Sequence, residues 1–366
     1  MNLKKGIIPN IYLTFLFVQL FQASNLITSF ITDVTKQDTW IVSIASWIIT
    51  LGLLAIYLGI NSKLPDKTII EINDIAFGKY LGKIISVIYI LFFWFVIPAN
   101  VRYVADFFNT YLFPDTDVIV FAFLIMLMAI YALRKGIEGI VRIAAFLVVI
   151  TFFVSIFLII FTTRYIKFSN FLPLFQITFM EFIHGVNVIV CIPLGEIIVY
   201  LMIYPSIKEK KSIKKYSYLG FCIGGFYFLM IIVRNTLVLG NIASIQVIPT
   251  YQVARLVVVG NTITRSEILV AIMLFFGLFL KICIFFYAAV LGITQLFKLN
   301  SYKVPTFPVG IISGILSISM FASQADETYI GSSIYPVFIL PVIVVIPIVT
   351  LVVLKVKNIQ KHNSIE

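Results

Sequence analysis

The feature that most constrains this chain is the repetition of long apolar runs separated by short polar stretches. Ten such segments can be marked, at roughly 8–32, 39–60, 82–112, 117–134, 140–163, 176–203, 216–240, 265–297, 306–323 and 336–355. A helix needs about 20 predominantly apolar residues to cross the hydrocarbon core of a bilayer. Runs of that length, repeated through 366 residues, point to an all-α polytopic membrane protein with about ten transmembrane helices. Composition agrees: 61% of residues are hydrophobic, 12% are charged, and the mean hydropathy is +1.08. A soluble domain is about half apolar and about a quarter charged. One buried core cannot absorb that excess, whereas a lipid bilayer can. The connections are short, so residues 1–366 read as a single membrane domain without a soluble appendage.

The net charge of +11 does not indicate a nucleic-acid partner, because the Lys and Arg residues fall mainly between the apolar runs. Nineteen of them lie in one alternating set of connections and ends, from Lys4 and Lys5 to Lys355, Lys357 and Lys361; the opposite set holds only Lys36, Arg164, Lys167, Arg255 and Arg265. By the positive-inside rule this asymmetry places both termini in the cytoplasm. Lys4 and Lys5 precede an apolar stretch with no short h-region and cleavage site, which reads as an uncleaved first helix. Cys191, Cys222 and Cys283 lie inside apolar runs at spacings that fit neither a disulfide framework nor a zinc site, so buried free thiols are expected. The sequence has no phosphate-binding glycine loop, no His-Glu-x-x-His and no serine elbow, and its two histidines are distant. An enzyme is not expected, nor a cofactor or metal site.

Two connections carry structure of their own. Ile69, Ile72, Ala76 and Tyr80 fall at helical spacing within 68–80, which predicts a short amphipathic helix on the membrane surface, with Asp66 as its start signal. A second short helix is expected over 249–259, beginning at Pro249.

Charged residues inside apolar runs are the candidates for function, because the bilayer penalises them. Segment 6 contains Cys191-Ile192-Pro193-Leu194-Gly195-Glu196. Pro193 removes a helical N–H and crowds the preceding turn, and Gly195 loosens the backbone further. A helix broken near the bilayer midplane presents backbone groups to a small polar ligand; a packed kink with Glu196 bonded to a neighbouring helix explains the same residues. Lys281 lies midway along segment 8, too deep for easy snorkelling. Its ammonium needs either Glu196 or a ligand carboxylate, or a partner on another helix. In segment 1, Gln19, Gln22, Ser24, Asn25 and Thr28 either mark a second break at Gln22-Ala23-Ser24-Asn25 or serve interhelical hydrogen bonds. Arg102 with Asp106, and Glu181 with His184, read as structural pairs on single helix faces.

Several motifs in order resemble the B-subunit spore germination proteins, the permease-like subunits of germinant receptors. They are Asn170-Phe171-Leu172-Pro173-Leu174, Pro193-Leu194-Gly195-Glu196, Pro249-Thr250, Phe279-Leu280-Lys281, Tyr287-Ala288-Ala289-Val290-Leu291-Gly292 and Gln295-Leu296-Phe297-Lys298. That family resembles a branch of the amino acid–polyamine–organocation superfamily. The resemblance implies a LeuT-like five-plus-five inverted repeat, over about 8–163 and 176–355, with helices 1 and 6 interrupted at the ligand site and helices 3 and 8 completing it. The ligand-binding residues it implies are Gln22, Ser24, Asn25, Val101, Cys191, Pro193, Leu194, Gly195, Glu196 and Lys281. It implies a small-molecule germinant, often an amino acid, recognised in the spore inner membrane together with a membrane-embedded A subunit and a lipoprotein C subunit. Where permeases of the superfamily carry Gly-x-Gly in helix 1, this chain has Gln22-Ala23-Ser24-Asn25. The difference weighs against backbone coordination there and against ion-coupled transport. A free-standing secondary amino-acid transporter is the alternative function, and a structural subunit with a vestigial pocket is a third.

Overall fold

The computed structural model describes residues 7–24, 31, 34–246, 248–257 and 265–357. The expected Asn25 contact, like the N- and C-terminal lysines Lys4, Lys5 and Lys361, lies outside the described residues. The helices are α1 (Ile11–Ser24), α2 (Thr39–Lys63), α3 (Ile69–Tyr111), α4 (Val118–Lys135), α5 (Ile137–Thr162), α6 (Phe179–Ile189), α7 (Ile213–Leu239), α8 (Pro249–Arg255), α9 (Glu267–Leu296), α10 (Lys303–Ser319), α11 (Gln324–Tyr329), α12 (Tyr335–Leu340) and α13 (Ile346–Val356). Among the described residues, eight helical stretches are long and apolar enough to cross a membrane, and the shorter apolar α1 and α10 bring the count to the expected ten. The extended structure among the described residues is a single parallel bridge between Ile8 and Ile207. Through it the Ile8 N–H donates to the Ser206 carbonyl at 2.9 Å, tying the approach to α1 to the end of segment 6.

Burial sorts the helices into centre and periphery. In the span Phe179–Met202, 89% of the most apolar stretch lies inside the bundle, against 22% in Ile137–Tyr165. The first is hydrophobic all round because protein surrounds it, and the second because lipid meets one side, as Ile143, Phe146 and Phe153 show by their exposure. Around segment 6, α1 packs mainly on α7, and α3 on α9.

The short surface helix expected before segment 3 is the first part of α3. It ends at Gly78, whose φ of +80° turns the chain before the long span begins. Its N-cap is Thr68 rather than Asp66: the Thr68 side chain accepts from the Glu71 N–H, and the Glu71 carboxylate accepts from the Thr68 N–H. That reciprocal capping box outcompetes an aspartate two residues earlier. The second short helix, α8, starts at Pro249 as expected. Three further expectations change. Segment 10 is helical from Gln324, not 336, through α11, α12 and α13. Glu181 does not pair with His184; its carboxylate accepts from the Thr178 N–H at 2.7 Å and caps α6. Cys191 and Cys283 are buried free thiols, but Cys222 is exposed because it lies on the periphery of α7.

Candidate functional site

Segment 6 changes helical type at its proline. After α6, residues Val190–Leu194 form a wide turn in which the Gly195 N–H donates to the Val190 carbonyl, five residues back. Gly195–Met202 then winds as a 3₁₀ helix, a run longer than the three or four residues usual for that form. The cause is local. Pro193 has no N–H, and its ring would collide with the Ile189 carbonyl in an α-turn, so the turn widens. Gly195 permits the close return: a Cβ there would lie 2.5 Å from the Val190 carbonyl oxygen and 2.5 Å from Ile343 Cδ1. The expected interruption of helix 6 is present as this α-to-π-to-3₁₀ change. In segment 1, α1 ends at Ser24, and the residues that follow lie outside those described.

The wide turn carries Ile192 and Glu196, one helical turn apart, to the wall of a narrow cavity of about 70 Å³. From α3 the lining residues are Phe95 and, sharing one helix face by the i, i+3, i+4, i+7 rule, Val96, Ala99, Asn100 and Tyr103. Lys281 enters from the middle of α9, and Phe321, Glu327, Ile330, Gly331 and Tyr335 complete the lining from segment 10 and the turn before it.

Lys281 and Glu196 meet across this wall. Their Nζ–Oε2 distance is 2.7 Å, and the side chains are 1% and 3% exposed. Sequence reasoning offered Glu196 as one of the partners for Lys281, and the geometry brings the two together. An isolated ammonium at this depth is unfavourable by about 2.5–3.5 kcal/mol on insertion scales; the carboxylate offsets that. Arg102 and Asp106 form the expected pair, with Nε–Oδ2 at 2.8 Å. The same guanidinium donates to the carbonyls of Ile318 and Phe321, at 2.9 and 3.3 Å, and so ties α3 to the end of α10 and the turn that follows.

The other sequence-predicted site residues sit apart from the cavity wall. Gln22 Nε2 donates to the Val148 carbonyl of α5 at 3.4 Å, and Gln22 lines a separate apolar groove between α1, α5 and α7. Ser24 Oγ returns to the Leu20 carbonyl of its own helix at 2.8 Å. Gln19 Nε2 reaches the Gly277 carbonyl of α9 at 2.7 Å, so segment 1 does make interhelical hydrogen bonds. Val101 is fully buried, but neighbours Asn100 and Tyr103 face the cavity instead. Cys191 donates toward Asn187 Oδ1 at 3.3 Å and the Pro336 carbonyl at 3.4 Å. Pro193, Leu194 and Gly195 are buried and shape the turn that presents Glu196.

Three wall residues that sequence reasoning missed are Asn100, Glu327 and Tyr335. Glu327 is 5% exposed and Asn100 6% exposed. Their Oε2 and Oδ1 atoms, and the Tyr335 hydroxyl, are buried without a hydrogen-bond partner among the described residues. One signal for Glu327 was legible. Ser323 and Asp326 have helix-start spacing, and the Ser323 hydroxyl accepts from the Asp326 N–H, starting α11 early enough to carry Glu327 into the bundle.

Comparison with solved structures identifies the architecture. Mhp1, a nucleobase-cation-symport-1 family transporter in a closed conformation with bromovinylhydantoin bound, superposes with a TM-score of 0.67 at 13% identity, covering 89% of this chain and 75% of that one. A Na+-coupled sialic acid symporter in a substrate-bound outward-open state gives 0.65 at 15% identity, over 93% and 80%. MhsT in complex with L-phenylalanine gives 0.60 at 13% identity, over 94% and 98%. These likenesses establish the LeuT-like transporter fold. Among curated proteins, spore germination protein KB of Bacillus subtilis (strain 168) is 25% identical over 355 residues, 96% of this chain and 95% of its own. Spore germination protein B2 of the same strain is 20% identical over 293 residues, 79% of each chain. The sequence pattern of the spore germination proteins matches residues 8–325. The chain is thus an integral membrane protein of germinant-receptor-like or transporter type, and it belongs to the spore germination protein family.

Proposed function

We propose that this chain is the ligand-binding membrane subunit of a spore germinant receptor. It takes a small polar germinant, an amino acid, into the cavity beside Lys281 and Glu196. It does so in the spore inner membrane, with both termini cytoplasmic and with A and C subunits as partners. The observation that carries this reading is the buried Lys281–Glu196 pair on the wall of a cavity at mid-span, next to the proline-widened turn of segment 6. Intramembrane charge of this kind marks a ligand or ion path. Membership of the family supports the germination role, and the L-phenylalanine bound to MhsT supports an amino acid as the ligand.

The cavity is smaller than the several hundred Å³ typical of ligand pockets. A germinant therefore enters only if the wall opens, and the weakest parts of that wall are the wide turns, where α-helical bonding is already lost. Binding then favours the opened state over the closed one, and this population shift is the signal offered to the partner subunits. No chemical step is involved; the residues bind, orient and change shape.

A receptor subunit needs no transport cycle. Vesicles containing this chain alone are expected to show no accumulation of radiolabelled amino acids, and deleting either partner gene is expected to abolish the germination response. Robust accumulation by the isolated chain would restore the secondary-transporter reading.

A further inference from the structure

We infer that Glu327 and Asn100 form a subsite for a protonated primary amine, so that the ligand's ammonium is held by segment 10 and α3 rather than by segments 1 and 6. The inference deepens the receptor reading and rests on the same cavity. Among the described residues, two acceptor atoms on its wall have neither a hydrogen-bond donor nor an ion-pair partner: Glu327 Oε2 and Asn100 Oδ1. The orientation of the Asn100 amide is fixed, because Nδ2 donates to the Val96 carbonyl at 2.7 Å. The oxygen is what remains for the cavity.

The protein's own cations near this wall are already committed. Arg102 is engaged by Asp106 and by the carbonyls of Ile318 and Phe321. Lys281 is engaged by Glu196. Among the described residues no cation is left free for Glu327, which leaves room for one brought by a ligand. A primary ammonium suits the site: it carries one positive charge and three N–H donors, enough for the two orphaned oxygens and the Tyr335 hydroxyl. The surroundings favour a cation as well. Phe95 and Tyr335 stack with centroids 5.4 Å apart on the same wall, and Phe321 joins them there; aromatic faces attract desolvated cations. Lys281 and Glu196 line the same cavity as an ion pair at 2.7 Å, so the cation that Glu327 can accept is not supplied by Lys281.

The test uses the full chain in lipid nanodiscs and reads the unfolding midpoint, which rises with any ligand that binds the folded form. Methylammonium chloride is titrated against sodium chloride and tetramethylammonium chloride at constant ionic strength. Methylammonium is expected to reach half its effect at a concentration at least fivefold below that of sodium. Tetramethylammonium, which has no N–H donor, is expected to add nothing. Glu327→Gln is expected to erase the methylammonium preference. An effect of sodium equal to or larger than that of methylammonium would overturn the assignment, as would a preference that survives in Glu327→Gln. If that variant fails to accumulate, the wild-type comparison of the three cations decides alone. A negative result leaves the receptor reading standing, since that reading is tested by germination and not by amine binding.

Discussion

Glu196 and Glu327 are both buried carboxylates on the wall of one cavity, but they live in opposite circumstances. Glu196 has the Lys281 ammonium at 2.7 Å. Glu327 has no ion pair among the described residues, and the Arg102 guanidinium on α3 is held by Asp106 instead. The first carboxylate is part of how the bundle holds together, because its partner comes from a different helix and neither charge is tolerable alone. The second is a local liability, since an unsatisfied buried polar group is unfavourable by about 1–3 kcal/mol. On one cavity wall, the pair on segment 6 and α9 holds the site together, and the unpaired carboxylate on segment 10 is the one left open to a ligand.

The sharpest way to break the comparison is to remove one charge from the pair. Lys281→Met leaves Glu196 buried without its counter-ion, which is expected to cost about 3–5 kcal/mol. Membrane abundance by immunoblot should fall steeply, Glu196→Gln should do the same, and the double variant should recover most of the loss. Unchanged abundance in both single variants would show that the pair does not support the fold. A smaller effect is expected at Gly195, where an added Cβ meets the Val190 carbonyl and Ile343. Gly195→Val should destabilise by about 1–3 kcal/mol through overpacking, lower the unfolding midpoint of the purified chain and abolish the germination response. The smallest effect is expected at the partnerless carboxylate. Glu327→Gln keeps the shape and removes a charge that has no ion pair among the described residues, so the stability without ligand should stay within about 1 kcal/mol of wild type or rise. A collapse of stability comparable to that of Lys281→Met would mean that Glu327 has a structural partner, and would erase the contrast.

How much of this was legible in the sequence follows the same division. The spans were readable because lipid imposes length and apolarity directly. Lys281 and Glu196 stood out because each interrupts an apolar run, and Pro193 with Gly195 announced the broken α-pattern between α6 and Met202. The unread half of the cavity comes from a stretch that looks like a loop. Ala322-Ser323-Gln324-Ala325-Asp326-Glu327 is polar enough to place the start of segment 10 near 336, whereas the chain is helical from Gln324. Segment 10 also repeats the device seen in segment 6: wide turns over Ile330–Ile334 and Pro341–Val345, the first immediately before Tyr335-Pro336. Its prolines lie in a continuously apolar run with no charge beside them, so nothing in the sequence tied those kinks to a site. Val101 illustrates the finer limit. Hydropathy identifies α3 as a buried helix, but not which residues face the cavity, and a shift of one residue from Asn100 turns the side chain about 100° away.

The central claim is that the cavity between α3, the turn of segment 6, α9 and segment 10 is where the germinant binds. Filling it tests that claim most directly. Ala99 lines the cavity without contributing to either charge cluster. Spores carrying Ala99→Phe in place of the wild-type chain are compared across a panel of amino acids, with the abundance of the protein measured in the same spores. Normal abundance is expected, with at least a tenfold rise in the amino-acid concentration needed for half-maximal germination. An unchanged dose–response at normal abundance would contradict that claim and place the germinant elsewhere.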